Sequence, residues 1–220
     1  MSAGDIAASK PAEAVREDWL AVLLVALWGL GAALSGVLGI WLALGTTAVL
    51  LGLAALLADR DPLRRLLGRS SPSAKSPALA GLLVGLGMTA ATYTLYAPLT
   101  AAFPAVGADL RRLYLAFGAP ALWRASLALP VVIVGEELVW RGVVHSALTR
   151  RLGPAAAVGA GSLLYFLAHA PVGSPALALA CLGCGVCWAG LRAWTNSLVA
   201  VILAHLIWDF ALLVVYPVVR

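Results

Sequence analysis

Long apolar runs without a charge are the feature that most constrains this chain. The first run, Trp19 to Ala58, covers 40 residues and contains no Asp, Glu, Lys or Arg. About 20 apolar residues cross a bilayer as one helix, so this run predicts two spans that turn near Ser35 and Gly36. Over the whole chain 62% of residues are hydrophobic and 11% are charged, whereas soluble domains carry about 25% charged residues. A soluble globular fold is excluded, and an all-α polytopic membrane protein is predicted.

The remaining apolar runs predict five more spans, which gives about seven in total. Their bounds are about 78–98, 121–149, 155–170, 174–190 and 196–216. An amphipathic segment from Asp109, its predicted N-cap, to Gly118 lies between the third and fourth spans and is predicted to be a short interfacial helix. Residues 1–18 are predicted to be a polar tail. Residues 19–220 then form one transmembrane domain.

The distribution of basic residues predicts the orientation of the spans. The loop 59–77 carries five cations, and excess Lys and Arg mark the cytoplasmic side of a membrane protein. We therefore predict a cytoplasmic N-terminus, with Arg150, Arg151 and Arg192 on the same side. The excess of 15 basic over 10 acidic residues is explained by this topology, and no nucleic acid partner is predicted. The Ala-, Leu- and Gly-rich composition is typical of a bacterial inner-membrane protein.

A small set of ionisable side chains falls inside the predicted spans. Burying such groups in a bilayer is costly, so each one is a functional candidate. The candidates on spans four, five and seven are Glu136, Glu137, Arg141, His169, His205 and Asp209.

Helical spacing separates the two glutamates of span four. Glu137 and Arg141 are four residues apart, so they lie on one face and are predicted to form a structural ion pair. Glu136 points about 100° away from Glu137 and projects toward a neighbouring helix. We interpret Glu136 as the functional carboxylate, a candidate general base or acid. The alternative is that all three residues form one buried ion cluster.

His205 and Asp209 repeat the four-residue spacing on span seven. A carboxylate beside a histidine can fix the tautomer and orientation of the ring, as in hydrolase triads. The alternative is a purely structural hydrogen bond. His169 alone would be a core histidine, and it becomes a functional candidate only together with the other two helices.

Two other groups have structural interpretations. His145, near the end of span four, is predicted to form hydrogen bonds at the membrane interface. The small-residue segment of span six predicts close helix packing rather than an iron–sulfur site. Its members are Cys181, Cys184, Cys187, Gly183, Gly185 and Gly190.

Three motifs in this order resemble a known family. They are Glu136-Glu137-x-x-x-Arg141, Tyr165-x-x-x-His169 and His205-x-x-x-Asp209. They resemble the motifs of the CPBP family, the CAAX prenyl proteases and bacteriocin-processing enzymes, which is also called the Abi family. The resemblance covers about 121–216. Tyr165 stands where the family usually has Phe, a change that we interpret as conservative, and Asp209 stands where the prenyl-protease branch typically has Asn.

The resemblance implies a glutamate-dependent intramembrane endopeptidase with a cavity among its spans. Glu136 would then be the general base, and His169 would activate or position the water. His205 with Asp209 would stabilise the oxyanion. Asp209 would do so either as a neutral donor or as an anion that orients a protonated His205, and we favour the second account.

The resemblance also bears on the support of the site and on metal. Glu137 and Arg141 would support the site. No cofactor is favoured, because the chain has no His-Glu-x-x-His motif to place two zinc ligands on one helical turn. In a zinc-dependent mechanism, His169 and His205 would be the ligands.

The predicted substrate is a membrane protein or peptide cut at a leader, a C-terminal sorting segment or a CAAX-like segment. Two alternatives belong to other classes of function. One is a catalytically idle immunity or scaffold protein of the same fold, and the other is a proton-coupled transporter that uses its Glu, His and Asp residues as a relay.

Overall fold

The computed structural model describes residues 11–58, 76–118 and 122–219, and no strand occurs among them. The prediction of an all-α bundle is confirmed. The helices, in chain order, are α1 (Pro11–Ala33), α2 (Ser35–Leu38), α3 (Ile40–Ala58), α4 (Pro77–Ala102), α5 (Pro104–Phe117), α6 (Leu122–Glu137), α7 (His145–Leu152), α8 (Pro154–His169), α9 (Pro175–Thr195) and α10 (Leu198–Phe210). A π-helical stretch, Leu138–Val144, joins α6 to α7, and a second one, Ala211–Val215, extends α10.

Six of the described helical segments are long and apolar enough to cross a membrane. The helix 122–152 is not among them, because it carries Glu136, Glu137 and Arg141; it is nevertheless helical without a break. Many large apolar side chains face outward, such as Val37 at 83% and Leu57 at 78% exposure. Such a surface suits lipid rather than water, and the chain is a multi-pass membrane protein.

Several predicted boundaries differ from the observed ones. Helix α1 begins at Pro11, so residues 11–18 of the predicted tail are helical. The turn that we predicted near Ser35 and Gly36 lies a few residues later, since both residues are helical and Gly39, with a φ of 83°, separates α2 from α3. Positions 59–75 of the basic loop and Arg220 lie outside the described residues.

The predicted role of Asp109 is wrong, because α5 begins five residues earlier, at Pro104. The Asp109 carboxylate instead accepts hydrogen bonds from Ser174 Oγ and the Ala176 backbone N–H, each at 2.8 Å. It therefore caps the start of α9, a helix that is distant in sequence, and fixes α5 to the bundle.

Glycines allow the helices that carry the candidate residues to approach their neighbours closely. A Cβ atom at Gly135 would collide with the carbonyl oxygen of Ala48 on α3. At Gly85 on α4 it would lie 2.9 Å from the carbonyl oxygen of Ala204 on α10. Glu136 and His205 directly follow Gly135 and Ala204, so these contacts set the positions of both candidates.

The π-helical stretch continues from Glu137 and is held by a residue of α9. The backbone N–H of His145 bonds to the carbonyl of Trp140, five residues back. Arg192 donates from Nε to the carbonyl oxygen of Arg141 at 3.2 Å. Arg192, which we predicted near the cytoplasmic end of its span, is thus a buried residue of α9. π-helical insertions are often found at functional sites.

The close packing that we predicted for the small residues of span six is observed only in part. Cys181 and Cys184 are buried, Cys187 is exposed, and all three are free thiols. Gly185 abuts Ser162 of α8, where a Cβ would lie 3.2 Å from the Ser162 Cα. The other two glycines, Gly183 and Gly190, face open space and play no part in the predicted packing.

Candidate active site

The structure gathers the six ionisable candidates around the start of the π-helical stretch, but it sorts them into two groups. Glu136 faces α8, where it contacts Tyr165 and His169. Glu137 faces α10 and contacts His205 there. The two adjacent glutamates therefore serve different helices, as their angular separation predicts.

The group around Glu137 is a charge-balanced buried cluster. Oε1 of the fully buried Glu137 lies 3.0 Å from Arg141 Nη1 and 2.7 Å from His205 Nδ1. His205 Nε2 lies 3.4 Å from Asp209 Oδ2. Carboxylates only accept hydrogen bonds, so both ring nitrogens of His205 can donate only as imidazolium. Two carboxylates are then balanced by one guanidinium and one imidazolium.

Aromatic rings hold the cations of this cluster in place. The Trp188 ring stacks on the ring of His205 with a centroid distance of 3.7 Å. The guanidinium carbon of Arg141 lies 4.5 Å from the ring centroid of Tyr165 and 5.1 Å from that of Trp188. Cation–π contacts strengthen when they are shielded from water. Trp188 was not among the predicted site residues, although its sequence position on span six, beside the cysteines, could have suggested it.

Glu136 differs from Glu137 because none of its direct contacts is a cation. Its Oε1 accepts a hydrogen bond from the Tyr165 hydroxyl and lies 3.7 Å from His169 Nε2. Both contacts that the described residues make with this carboxylate use Oε1. Oε2 is therefore the oxygen left for a water or a substrate.

His169 is held as a neutral ring with one defined tautomer. The indole N–H of Trp28 donates to His169 Nε2 at 3.0 Å, so Nε2 carries no proton. Nδ1 lies 2.8 Å from the carbonyl oxygen of Tyr165 and must be the protonated nitrogen. Trp28 belongs to α1, far from the three motifs, and neither spacing nor hydropathy could have identified it.

Tyr165 is more than the conservative replacement that we inferred from the sequence. Its hydroxyl donates to the carboxylate of Glu136, which the side chain of Phe could not do. The sequence interpretation missed this contact because the partner lies on another helix.

His145 does not form the predicted interfacial hydrogen bonds. It is buried, and its Nδ1 has no hydrogen-bond partner among the described residues. It lines a small cavity behind the cluster together with Arg141, Tyr165 and Trp140, whose indole N–H is likewise unpartnered among those residues. A buried polar cavity of this kind suits an ordered water.

The donor atoms do not fit a zinc centre as arranged. Within the described part of the chain, no three His, Cys, Asp or Glu residues are grouped to hold a metal ion. Both ring nitrogens of His169 are engaged by Trp28 and by a carbonyl. His205 Nδ1 is engaged by Glu137. The two histidines named for a zinc-dependent mechanism therefore present no pair of free lone pairs.

Comparison with family models agrees with the resemblance of the three motifs. Residues 118–211 match the model of a family described as type II CAAX prenyl endopeptidase Rce1-like. No curated protein and no solved structure matches the chain. The matched region contains all three motifs, while Trp28 lies outside it. Residues 118–211, which carry the two-glutamate helix and both histidine helices, are thus similar to the type II CAAX prenyl endopeptidases, in agreement with the resemblance of the three motifs.

Proposed function

We propose that this protein hydrolyses a peptide bond of a membrane-associated protein or peptide through a water activated by Glu136, without a metal. The observation that carries the proposal is the contrast between the two glutamates. Glu137 is neutralised by Arg141 and His205, whereas Glu136 contacts a hydroxyl and a neutral imidazole. A carboxylate without a counter-ion in contact keeps its capacity to accept a proton, as a general base requires.

The reaction uses Glu136 twice, first as a base and then as an acid. Glu136 Oε2 takes a proton from water as the water oxygen bonds to the carbonyl carbon of the substrate, and the π electron pair of the carbonyl moves to its oxygen. When the C=O bond forms again, the C–N bond breaks and Glu136 returns the proton to the leaving nitrogen. The water that is consumed supplies the new carboxylate oxygen.

His205 and Asp209 stabilise the oxyanion in this scheme. His205 Nδ1 is engaged closely by Glu137, at 2.7 Å, but Nε2 lies 3.4 Å from Asp209. The Nε2–H group is therefore the donor that can share its proton with a developing negative charge. Asp209 keeps the His205 ring oriented. His169 lies beside Glu136 as a neutral ring that bounds the water site, since Trp28 and a backbone carbonyl engage its two nitrogens.

Membrane proteins or peptides are the proposed substrates, cut at a leader, a C-terminal sorting segment or a CAAX-like segment. A bacterial inner-membrane location with the N-terminus in the cytoplasm remains our proposal, based on the basic loop 59–77. The scheme needs no zinc and no nucleic acid.

Mass spectrometry of membrane proteins tests the proposal in cells. Cells carrying the Glu136→Ala variant are expected to accumulate uncut forms of specific membrane proteins, whereas cells carrying Glu17→Ala are not. Glu17 is the matched control because its carboxylate pairs with Arg150, 2.8 Å away, outside the candidate site. Identical protein termini in all strains would contradict an endopeptidase function and favour the idle scaffold.

Chelation is expected to leave cleavage intact, because no step of the scheme uses a metal. The measurement is the cleavage rate of the purified enzyme before and after exhaustive treatment with a strong chelator, with elemental analysis of the same sample. We expect well under one equivalent of zinc per chain. Loss of cleavage that added zinc restores would overturn the metal-free mechanism.

Asp209→Asn is expected to fold normally and to lower the cleavage rate about 10-fold, a typical loss for a weakened charged hydrogen bond. His205 would keep the Glu137 contact but lose the anion at Nε2. The loss should be greatest at alkaline pH, because a His205 imidazolium that contacts one carboxylate instead of two loses its proton more readily. The measurement is the pH profile of the rate. A variant at least as active as wild type, with activity that persists at high pH, would favour direct donation by residue 209.

A further inference from the structure

The contact between Tyr165 and Glu136 joins two residues that the sequence motifs treat separately. Both side chains are buried, and the tyrosine hydroxyl donates to Oε1 of the glutamate. The resemblance to the family predicts Phe at position 165. The hydroxyl is therefore a feature of this chain that the family motif does not supply.

The tyrosine ring is fixed on several sides. Its centroid lies 5.0 Å from that of Trp140 and 4.4 Å from that of His169. Arg141 lies over the ring, and the Tyr165 backbone carbonyl is bonded to His169 Nδ1. A side chain held this firmly presents its hydroxyl at one position, so the Glu136 carboxylate is held with it.

Few other groups can bear on the charge of Glu136. The titratable and charged side chains around it come from its own helix and from α8, α9 and α10. They are Tyr165, His169, Glu137, Arg141, His205, Cys181 and Cys184. α3 carries no titratable side chain, and the charges of α1 lie near its start, where Glu17 and Asp18 pair with Arg150 and Arg151. Among these groups Tyr165 is the hydrogen-bond donor to the carboxylate.

We propose that Tyr165 is a positioning residue for Glu136, on the assumption that Glu136 is the base of the proposed function. Its hydroxyl holds Oε1, favours the ionised carboxylate and leaves Oε2 aimed at the water. A hydrogen bond donated to a charged group stabilises that charge. Glu136 therefore stays ionised, and able to accept a proton, at a lower pH than a buried carboxylate without this bond would.

Infrared titration tests this proposal without a known substrate. The carbonyl stretch of the protonated Glu136 carboxyl is assigned by its disappearance in Glu136→Gln and then followed against pH in the purified, full-length protein. In Tyr165→Phe, protonation of Glu136 is expected about one pH unit higher than in wild type, since a hydrogen bond to a charge is worth about that much. Tyr114→Phe is the matched control, because its hydroxyl bonds to the Leu212 carbonyl at 3.0 Å, and no shift is expected.

A second variant covers the case in which Tyr165→Phe does not fold. Incorporation of 3-fluorotyrosine at position 165 makes the hydroxyl a stronger donor and should move the titration to lower pH. An unchanged titration in either folded variant, or a shift of the opposite sign, would overturn the positioning role. Once a substrate is known, the acid limb of the rate–pH profile should move with the infrared titration.

Failure of this inference is distinguishable from failure of the proposed function. An unshifted titration together with an inactive Glu136→Gln enzyme would remove the role of Tyr165 and leave Glu136 as the base. Cleavage by Glu136→Gln at the wild-type rate would instead remove the proposed function itself.

Discussion

Replacing Glu136 with Gln is expected to lower the cleavage rate by about 100- to 10,000-fold, the usual contribution of a general base. Gln has the shape of Glu and can still accept the Tyr165 hydroxyl bond through its amide oxygen. The amide nitrogen cannot take a proton from water, so the chemistry fails while the packing remains. The measurement is turnover of a substrate found by mass spectrometry, with the enzyme in lipid vesicles and its thermal unfolding recorded in parallel.

Glu17→Gln is the matched control for this experiment. It makes the same chemical change in a carboxylate that pairs with Arg150 near the start of α1, and its turnover should equal that of wild type. Turnover by Glu136→Gln within a few-fold of wild type would refute its assignment as the base. If both variants unfold at the wild-type temperature, a difference in their turnover reflects the chemical step and not a loss of folded protein.

Glu137→Ala is expected to act on stability, by about 3–5 kcal/mol, the usual cost of breaking a buried ion pair on one side. The change removes one carboxylate oxygen that serves both Arg141 and His205, at 3.0 Å and 2.7 Å. Arg141 would then lose its carboxylate contact, and His205 would keep only the contact with Asp209. The free energy of unfolding, measured by denaturant titration in mixed micelles, is the test, and folded yield should fall with it.

An exposed carboxylate–arginine pair provides the control for Glu137→Ala. Asp18→Ala removes ion pairs with Arg151 and Arg150, whose side chains are 62% and 35% exposed, and such surface pairs contribute about 0–1 kcal/mol each. Exchanging both Glu137 and Arg141 for apolar residues should cost less than the sum of the single changes. A loss below about 1 kcal/mol in Glu137→Ala would contradict the buried, charge-balanced cluster that we describe.

These two predictions assign opposite consequences to neighbouring residues of one helix. The assignment depends on which helix each side chain faces. Glu136 contacts α8 and Glu137 contacts α10. Loss of the Glu136 carboxylate should therefore lower the cleavage rate, and loss of the Glu137 carboxylate should lower the free energy of unfolding. This contrast is the sharpest test of the site that the structure allows.

The sequence by itself determined the number of spans in its longest apolar run and the side-chain pairs formed within one helix. The uncharged run 19–58 predicted two spans, and α1 and α3 fill it. The angle between Glu136 and Glu137 predicted that they would serve different partners, and Glu137 does pair with Arg141. Such predictions hold because 3.6 residues per turn fix the relative direction of nearby side chains.

Only the tertiary structure decided which side chains meet across helices. The Trp28 contact that sets the His169 tautomer, the Tyr165 hydroxyl on Glu136 and the capping of α9 by Asp109 each join residues at least 29 positions apart. In a membrane both the lipid-facing and the core-facing sides of a helix are apolar, so hydropathy does not encode its rotation. Rotation and depth are set by packing, as where Gly135 admits the backbone of α3, and these decide which polar atoms come within hydrogen-bonding distance.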